Sequence, residues 1–241
     1  MTRRRESRRA QAFASTVGYR SGRTRRPRKI QHWVLNMVRV KICGITNVDD
    51  VRCVVREGAD AFGLVFAKSP RQVNPETAKK IVKAAGPLML SVGVFVNESS
   101  ERMLRIAEYC RLSTLQLHGD ESAGVIRKIQ KYGYPVIRAF RIGEKEELQK
   151  INDSPADALL FDTSQAGKFG GTGRVFDWSY LKKNKIRTPW IVSGGLNPTN
   201  VKTLLAMLDP YGVDVSSGVE QMPGKKSEKL VKEFIQNAKA S

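Results

Sequence analysis

A thiol, a carboxylate, an arginine, a histidine and two glycine-bearing turns occupy one kind of place in this chain, directly after a short apolar run. Cys43-Gly44 follows residues 38–42, in which Val38, Val40 and Ile42 alternate with Arg39 and Lys41. A cysteine sulfur can serve as a soft base near neutral pH, and the glycine after it lets the backbone approach a ligand. Cys43 is therefore the candidate catalytic base; the alternative is a small buried hydrophobe. Asp162 closes the run Ala158, Leu159, Leu160, Phe161. An acid there loses hydration unless it is used or paired, so it is a candidate general acid, with a cap or an ion pair as the alternative. Arg71 lies in the loop 69–72 and suits a substrate carboxylate, or simple solvation. His118, after Leu115-Gln116-Leu117, is either a contact residue or a satisfied hydrogen-bonding histidine. Two further turns, Ser193-Gly194-Gly195 and Ser216-Ser217-Gly218, carry backbone N–H groups that glycine exposes to an anion. Gly194, Gly195, Ser217 and Gly218 are the candidate phosphate contacts, against plain turn glycines.

The elements that must position these groups alternate regularly. Strands are expected at 38–42, 61–66, 88–96, 114–117, 135–139, 158–161, 190–193 and 213–215. Helical stretches between them open on capping residues: Asn47 with Asp49 and Asp50 in its first turn, Asn74-Pro75, and Ser99 or Ser100. Later helices are expected from about 120 to 132, 144 to 152, 198 to 208 and 227 to 238. Asn197-Pro198 reads as a cap and first-turn proline rather than a ligand. Strands alternating with helices imply parallel pairing through right-handed crossovers. Eight of them favour a single-domain α/β fold, a closed (β/α)8 barrel or TIM barrel, over an open doubly wound sheet. The open sheet would want a glycine-rich turn after its first strand, and the glycine run 167–173 comes too late for that. In a barrel the groups above all fall at the carboxyl ends of strands, where such folds keep their sites, with phosphate commonly held after strands seven and eight. The loop 163–175 is glycine-rich and suited to closing over a ligand.

Composition sets limits. The 241 residues are 41% hydrophobic, enough for a sizeable core. Three cysteines, Cys43, Cys53 and Cys110, form an odd, widely spaced set with no CxxC, which excludes a disulfide framework and implies a reducing compartment. Cys53 and Cys110 read as core filler. With only His32 and His118 as histidines, no metal is expected, and no stretch approaches a membrane span. The net charge of +19 resembles a nucleic-acid signature, but about half of it sits in residues 1–36, where eleven Lys/Arg face one acid, Glu6. That arm lacks helical or strand periodicity and is expected to be disordered. It reads as an RNA-binding or anionic-surface arm, as a transit peptide, or as sequence upstream of a true start at Met37. We favour the third. The domain boundaries are accordingly 1–36 for the extension and 37–241 for the barrel, with a cytoplasmic location unless the arm is a transit peptide.

The ordered set KICGIT, GLVF with SPR, VGVFVN, LQLHG, LLFDT, GGTG with FDW, SGGLNP, and SSGVE with PGKK resembles the phosphoribosylanthranilate isomerase family of tryptophan biosynthesis. The resemblance runs from about Val38 to the C-terminus and leaves out the basic arm. It implies an Amadori rearrangement of N-(5'-phosphoribosyl)anthranilate without a cofactor. It further implies Cys43 as base, Asp162 as acid, Arg71 on the anthranilate carboxylate and Gly194, Gly195, Ser217 and Gly218 on the phosphate. His118 falls in a family motif. The expected partner is a small phosphosugar, with nucleic acid unlikely except weakly through residues 1–36, and the protein is expected to be a monomer or homodimer. The competing functions are another phosphosugar barrel, of the indole-glycerol-phosphate synthase or histidine-pathway isomerase type, and a nucleic-acid-binding module. Synthase chemistry would ask for lysines and glutamates where this chain places Cys and Asp.

Overall fold

Asn47, Asn74, Ser99 and Ser227 each accept a hydrogen bond from a backbone N–H three residues on, at 2.8, 2.8, 3.3 and 3.4 Å, and each starts a helix. These helices belong to a computed structural model that describes residues 38–141, 151–162, 181 and 186–240. In chain order the elements are β1 (Arg39–Ile42), α1 (Val48–Arg56), β2 (Ala61–Val65), α2 (Pro75–Ala85), β3 (Leu90–Phe95), α3 (Ser100–Cys110) and β4 (Thr114–Leu117). Next come α4 (Ala123–Lys131), β5 (Val136–Arg141), β6 (Ala158–Asp162), β7 (Trp190–Ser193), α5 (Val201–Met207) and β8 (Gly212–Val215). A 3-10 turn (Ser217–Val219), the short hairpin β9 (Glu220–Met222) and β10 (Lys225–Lys226), and α6 (Glu228–Lys239) follow. The arm 1–36, most of the helix expected at 144–152, and the loop 163–175 lie outside the described residues.

Strands β1 to β8 close into a parallel barrel in sequence order, and β8 returns to pair with β1 through Lys41↔Asp214 and Ile42↔Val215. The expected (β/α)8 barrel is the observed fold. Most boundaries shift by one to three residues, and three of the shifts have a visible cause. Strand β3 is shorter than expected because the chain is still turning after Gly86-Pro87, and Leu88 stands 98% exposed. Strand β5 runs on to Arg141, whose partner across β6 is Asp162. Helix α5 starts three residues late, because Asn197 Oδ1 accepts from the Thr199 N–H, the Thr199 hydroxyl and the Asn200 N–H and holds residues 197–200 as a separate turn.

The core has two layers. Val40 and Ile42 of β1, with Val51 and Val54 of α1 and Val231 and Phe234 of α6, are buried in the larger layer between strands and helices. Each such side chain contributes about 1.5–3 kcal/mol. A smaller cluster, Val92, Ile137, Ala139, Leu160 and Ile191, comes from the alternate strand positions and fills the barrel interior. The period-two pattern of β1 has the same consequence. With Val40 and Ile42 facing the helices, Lys41 points inward and is buried.

Candidate active site

Strand β1 delivers Cys43 to the barrel mouth. Its N–H donates to Val215 O of β8 at 2.8 Å, and the N–H groups of Gly44 and Ile45 both donate to Gly63 O of β2 at 3.0 Å. The turn is thus tied to both neighbouring strands. Gly44 takes a φ of +77°, and a Cβ there would lie 2.5 Å from Arg71 Cδ and 3.0 Å from Ser216 Oγ, so only glycine fits. Gly63 does the same for the sulfur, since a Cβ in its place would come within 2.6 Å of Cys43 Sγ.

The thiol is buried, and burial pushes it above its ordinary range. The Lys41 ammonium opposes that shift, and the Asp214 carboxylate adds to it. Lys41 Nζ lies 2.9 Å from Asp214 Oδ1, with both side chains 5% exposed. Burial alone would lower Lys41; Asp214 and the sulfur more than offset it and hold the ammonium above its usual value. Ser193 Oγ donates to the other Asp214 oxygen at 3.3 Å.

Arg71 comes over Gly44 from the loop after β2 with its fork engaged: Nε and Nη2 donate to Glu220 Oε1 and Oε2 at 2.8 and 2.6 Å. Lys226 Nζ donates to the same carboxylate at 2.9 Å and to Ser216 O at 3.1 Å, while the Gly224 N–H reaches it at 3.3 Å. Glu220 would rise on burial, but Arg71 and Lys226 hold it below the usual carboxylate range. The β9–β10 hairpin is thereby pinned across the mouth, and Thr46 Oγ1 donates to Gly224 O at 2.5 Å.

Across the barrel, Asp162 ends β6 in register with Ser193 of β7, and its Oδ2 lies 3.3 Å from His118 Nε2. His118 Nδ1 is 3.0 Å from Gln116 Nε2, and Gln116 is buried on β4. If the amide donates there, Nδ1 is the acceptor and Nε2 carries the proton toward Asp162, a tautomer assigned from the geometry.

The two glycine turns meet. Gly194 and Gly195 have φ of +91° and +67°. A Cβ on Gly218 would fall 1.8 Å from Leu196 O, so the turn after β8 packs backbone to backbone on the turn after β7. Gly218 thus has a packing reason of its own, and that packing brings the two turns together.

All eight sequence-selected residues therefore lie at the carboxyl ends of the strands or in the loops that follow. Cys43 and Arg71 are brought near one another, as are His118 and Asp162, and Gly194, Gly195, Ser217 and Gly218 form a third group. Sequence reasoning missed Lys41, Gly63, Asp214 and Glu220. A lysine and an aspartate inside apolar strands were the available signal for the first pair. Glu220, in SSGVE, carried no local sign of its distant partner. Among the described residues there is no group of three or more His, Cys, Asp or Glu placed to hold a metal, and no helix long and apolar enough to cross a membrane.

Residues 40–237 match the family model for N-(5'-phosphoribosyl)anthranilate (PRA) isomerase. The N-(5'-phosphoribosyl)anthranilate isomerase of Rubrobacter xylanophilus is 45% identical over 206 residues, covering 85% of this chain and 100% of that protein. The chain belongs to the phosphoribosylanthranilate isomerase family. The family's solved structures agree in fold. The Thermotoga maritima enzyme superposes with a TM-score of 0.79 at 42% identity, covering 85% of this chain and 100% of its own. A family member solved in complex with reduced 1-(o-carboxyphenylamino)-1-deoxyribulose 5-phosphate gives 0.76 at 41% identity, with the same coverage. The matched region begins after the basic arm, as the resemblance implied.

Proposed function

We propose that this protein isomerises N-(5'-phosphoribosyl)anthranilate to 1-(2-carboxyphenylamino)-1-deoxyribulose 5-phosphate in tryptophan biosynthesis, with Asp162 as acid and Cys43 as base. The observation that carries the reading is the placement of a thiol, a carboxyl, an arginine fork and paired glycine turns around one barrel mouth. The family member solved with the reduced product analogue supports it. In this scheme the substrate phosphate sits on Gly194, Gly195, Ser217 and Gly218, and its anthranilate carboxylate faces Arg71. Asp162, oriented by His118, delivers a proton to the furanose oxygen and opens the ring. The resulting iminium acidifies C2–H, Cys43 removes that proton, and the enolamine tautomerises to the ketone. The acid and base stand on β6 and β1, so they address different parts of a substrate fixed by its phosphate. No cofactor enters the scheme.

The reading includes a catalytic domain at 37–241 with 1–36 as an extension, a cytoplasmic setting, and a monomeric or homodimeric state. A relative described as a dimeric enzyme from Thermotoga maritima is consistent with the latter. The test is the loss of phosphoribosylanthranilate fluorescence on adding the purified full-length chain. A steady signal from folded protein at saturating substrate would refute the isomerase reading.

A further inference from the structure

The base of the proposed reaction stands on a buried ion pair. Taking two charges out of water costs several kcal/mol for each, and apolar residues of similar volume often do as well or better. On the far side of the same barrel interior they do: Ile137, Leu160 and Ile191 fill it. Under Cys43 the interior instead holds Lys41 and Asp214, directly opposed in the β1–β8 register and 2.9 Å apart. Lys41 and Cys43 are two residues apart on one chain direction and so share a face, which puts the ammonium beside the sulfur.

We propose that Lys41 is a positioning residue for the base: its ammonium, paired with Asp214 on the strand face that Lys41 shares with Cys43, is the counter-charge against which the sulfur stands as a thiolate and accepts the C2 proton. The inference rests on the reading of Cys43 as base. In the step, the C2–H bond breaks, its electron pair forms the C1–C2 double bond of the enolamine and neutralises the iminium nitrogen, and the proton forms S–H. The ammonium keeps all its protons and its pair with Asp214 throughout.

The charged groups that face the sulfur come from four elements. They are Lys41 on β1, Asp214 on β8, Lys226 on β10 and Arg71 in the loop after β2. Glu220 on β9 sits between the last two and takes up both, in a fork with Arg71 and a 2.9 Å contact with Lys226 Nζ. Of these, Lys41 lies two residues from the sulfur along the same strand direction, on the face they share. Ser193 gives Asp214 a second partner, which moderates its hold on the ammonium.

The experiment follows the thiolate absorbance of Cys43 against pH, as the difference between each full-length protein and its Cys43→Ala counterpart, together with the pH profile of kcat/KM. Lys41→Met is expected to move the Cys43 titration up by at least about one pH unit, a tenfold loss of thiolate at a given pH, and to carry the acidic limb of kcat/KM with it. Asp214→Asn is expected to move both down, and Lys41→Arg to keep the wild-type profile. Circular dichroism reports folding; should Lys41→Met fail to fold, Lys41→Met/Asp214→Leu removes both charges and is still expected to titrate above wild type. An unmoved titration in the folded Lys41 variant overturns the proposal, and so does a shift of one sign in both single variants. Variants whose thiol titrations shift as stated, with a wild-type protein that leaves phosphoribosylanthranilate unchanged, would count against the isomerase reading instead.

Discussion

On the β8–β1–β2 side of the barrel mouth, Lys41, Arg71, Asp214, Glu220 and Lys226 are gathered around Cys43, whereas on the β4–β6 side Asp162 meets a histidine and, behind it, a glutamine amide. In the proposed scheme the difference follows from what each group must become. A buried sulfur that works as a base has to carry a negative charge before it reacts, and a dry interior penalises that charge. Compensating cations are needed there, and their own burial then calls for carboxylates. A carboxyl that donates a proton begins neutral, so in the proposed scheme orientation matters more than counter-charge, and the His118 imidazole contributes to it. Among the described residues, then, charged groups surround Cys43, and a hydrogen-bonded histidine faces Asp162.

The largest expected effect tests whether the compensated side is bound as a pair. Lys41→Met leaves Asp214 buried without its cation and is expected to cost about 3–5 kcal/mol in urea unfolding, whereas Lys41→Met/Asp214→Leu is expected to recover most of it. Equal losses in the two variants would mean that the lysine stem, not the ion pair, holds the interior. Next in size, Cys43→Ala and Asp162→Asn are each expected to lower kcat by at least about 10², roughly 3 kcal/mol, with little change in KM. Near-wild-type turnover in either would remove that side from the chemistry. The smallest effect sharpens the contrast in binding. Glu220→Gln loosens the Arg71 fork and is expected to raise KM about tenfold while kcat moves less, because in the proposed scheme the arginine meets the part of the substrate that does not react. A fall confined to kcat would instead place Glu220 with the base.

Much of this arrangement was legible in the residues. Apolar runs punctuated by Asn and Ser caps marked the strands and helices, and strand-end positions singled out Cys43 and Asp162. The compensation beneath Cys43 was not. Alternation in β1 separates Arg39 and Lys41 from Val40 and Ile42, but in a barrel both faces of a strand are covered, so the pattern alone does not say that the lysine faces inward. Glu220 was hidden for another reason: its fork with Arg71 joins residues 149 positions apart, and nothing local to either announces it. Gly63 looked like one more small strand residue until the sulfur was seen in the space its missing side chain leaves.

The seam where β8 returns to β1 has a consequence for how the protein matures. Lys41 and Asp214 are separated by 173 residues, and the backbone of Cys43 is held by Val215 of the last strand. Cys43, the proposed base, therefore has no formed environment until nearly the whole chain has been collected, the kind of distant contact that folds slowly. Recovery of enzymatic turnover during refolding should then trail the recovery of helix signal, making catalysis a clock for ring closure. A nascent chain still lacking β8 would be silent toward the substrate however much of its helical layer had formed.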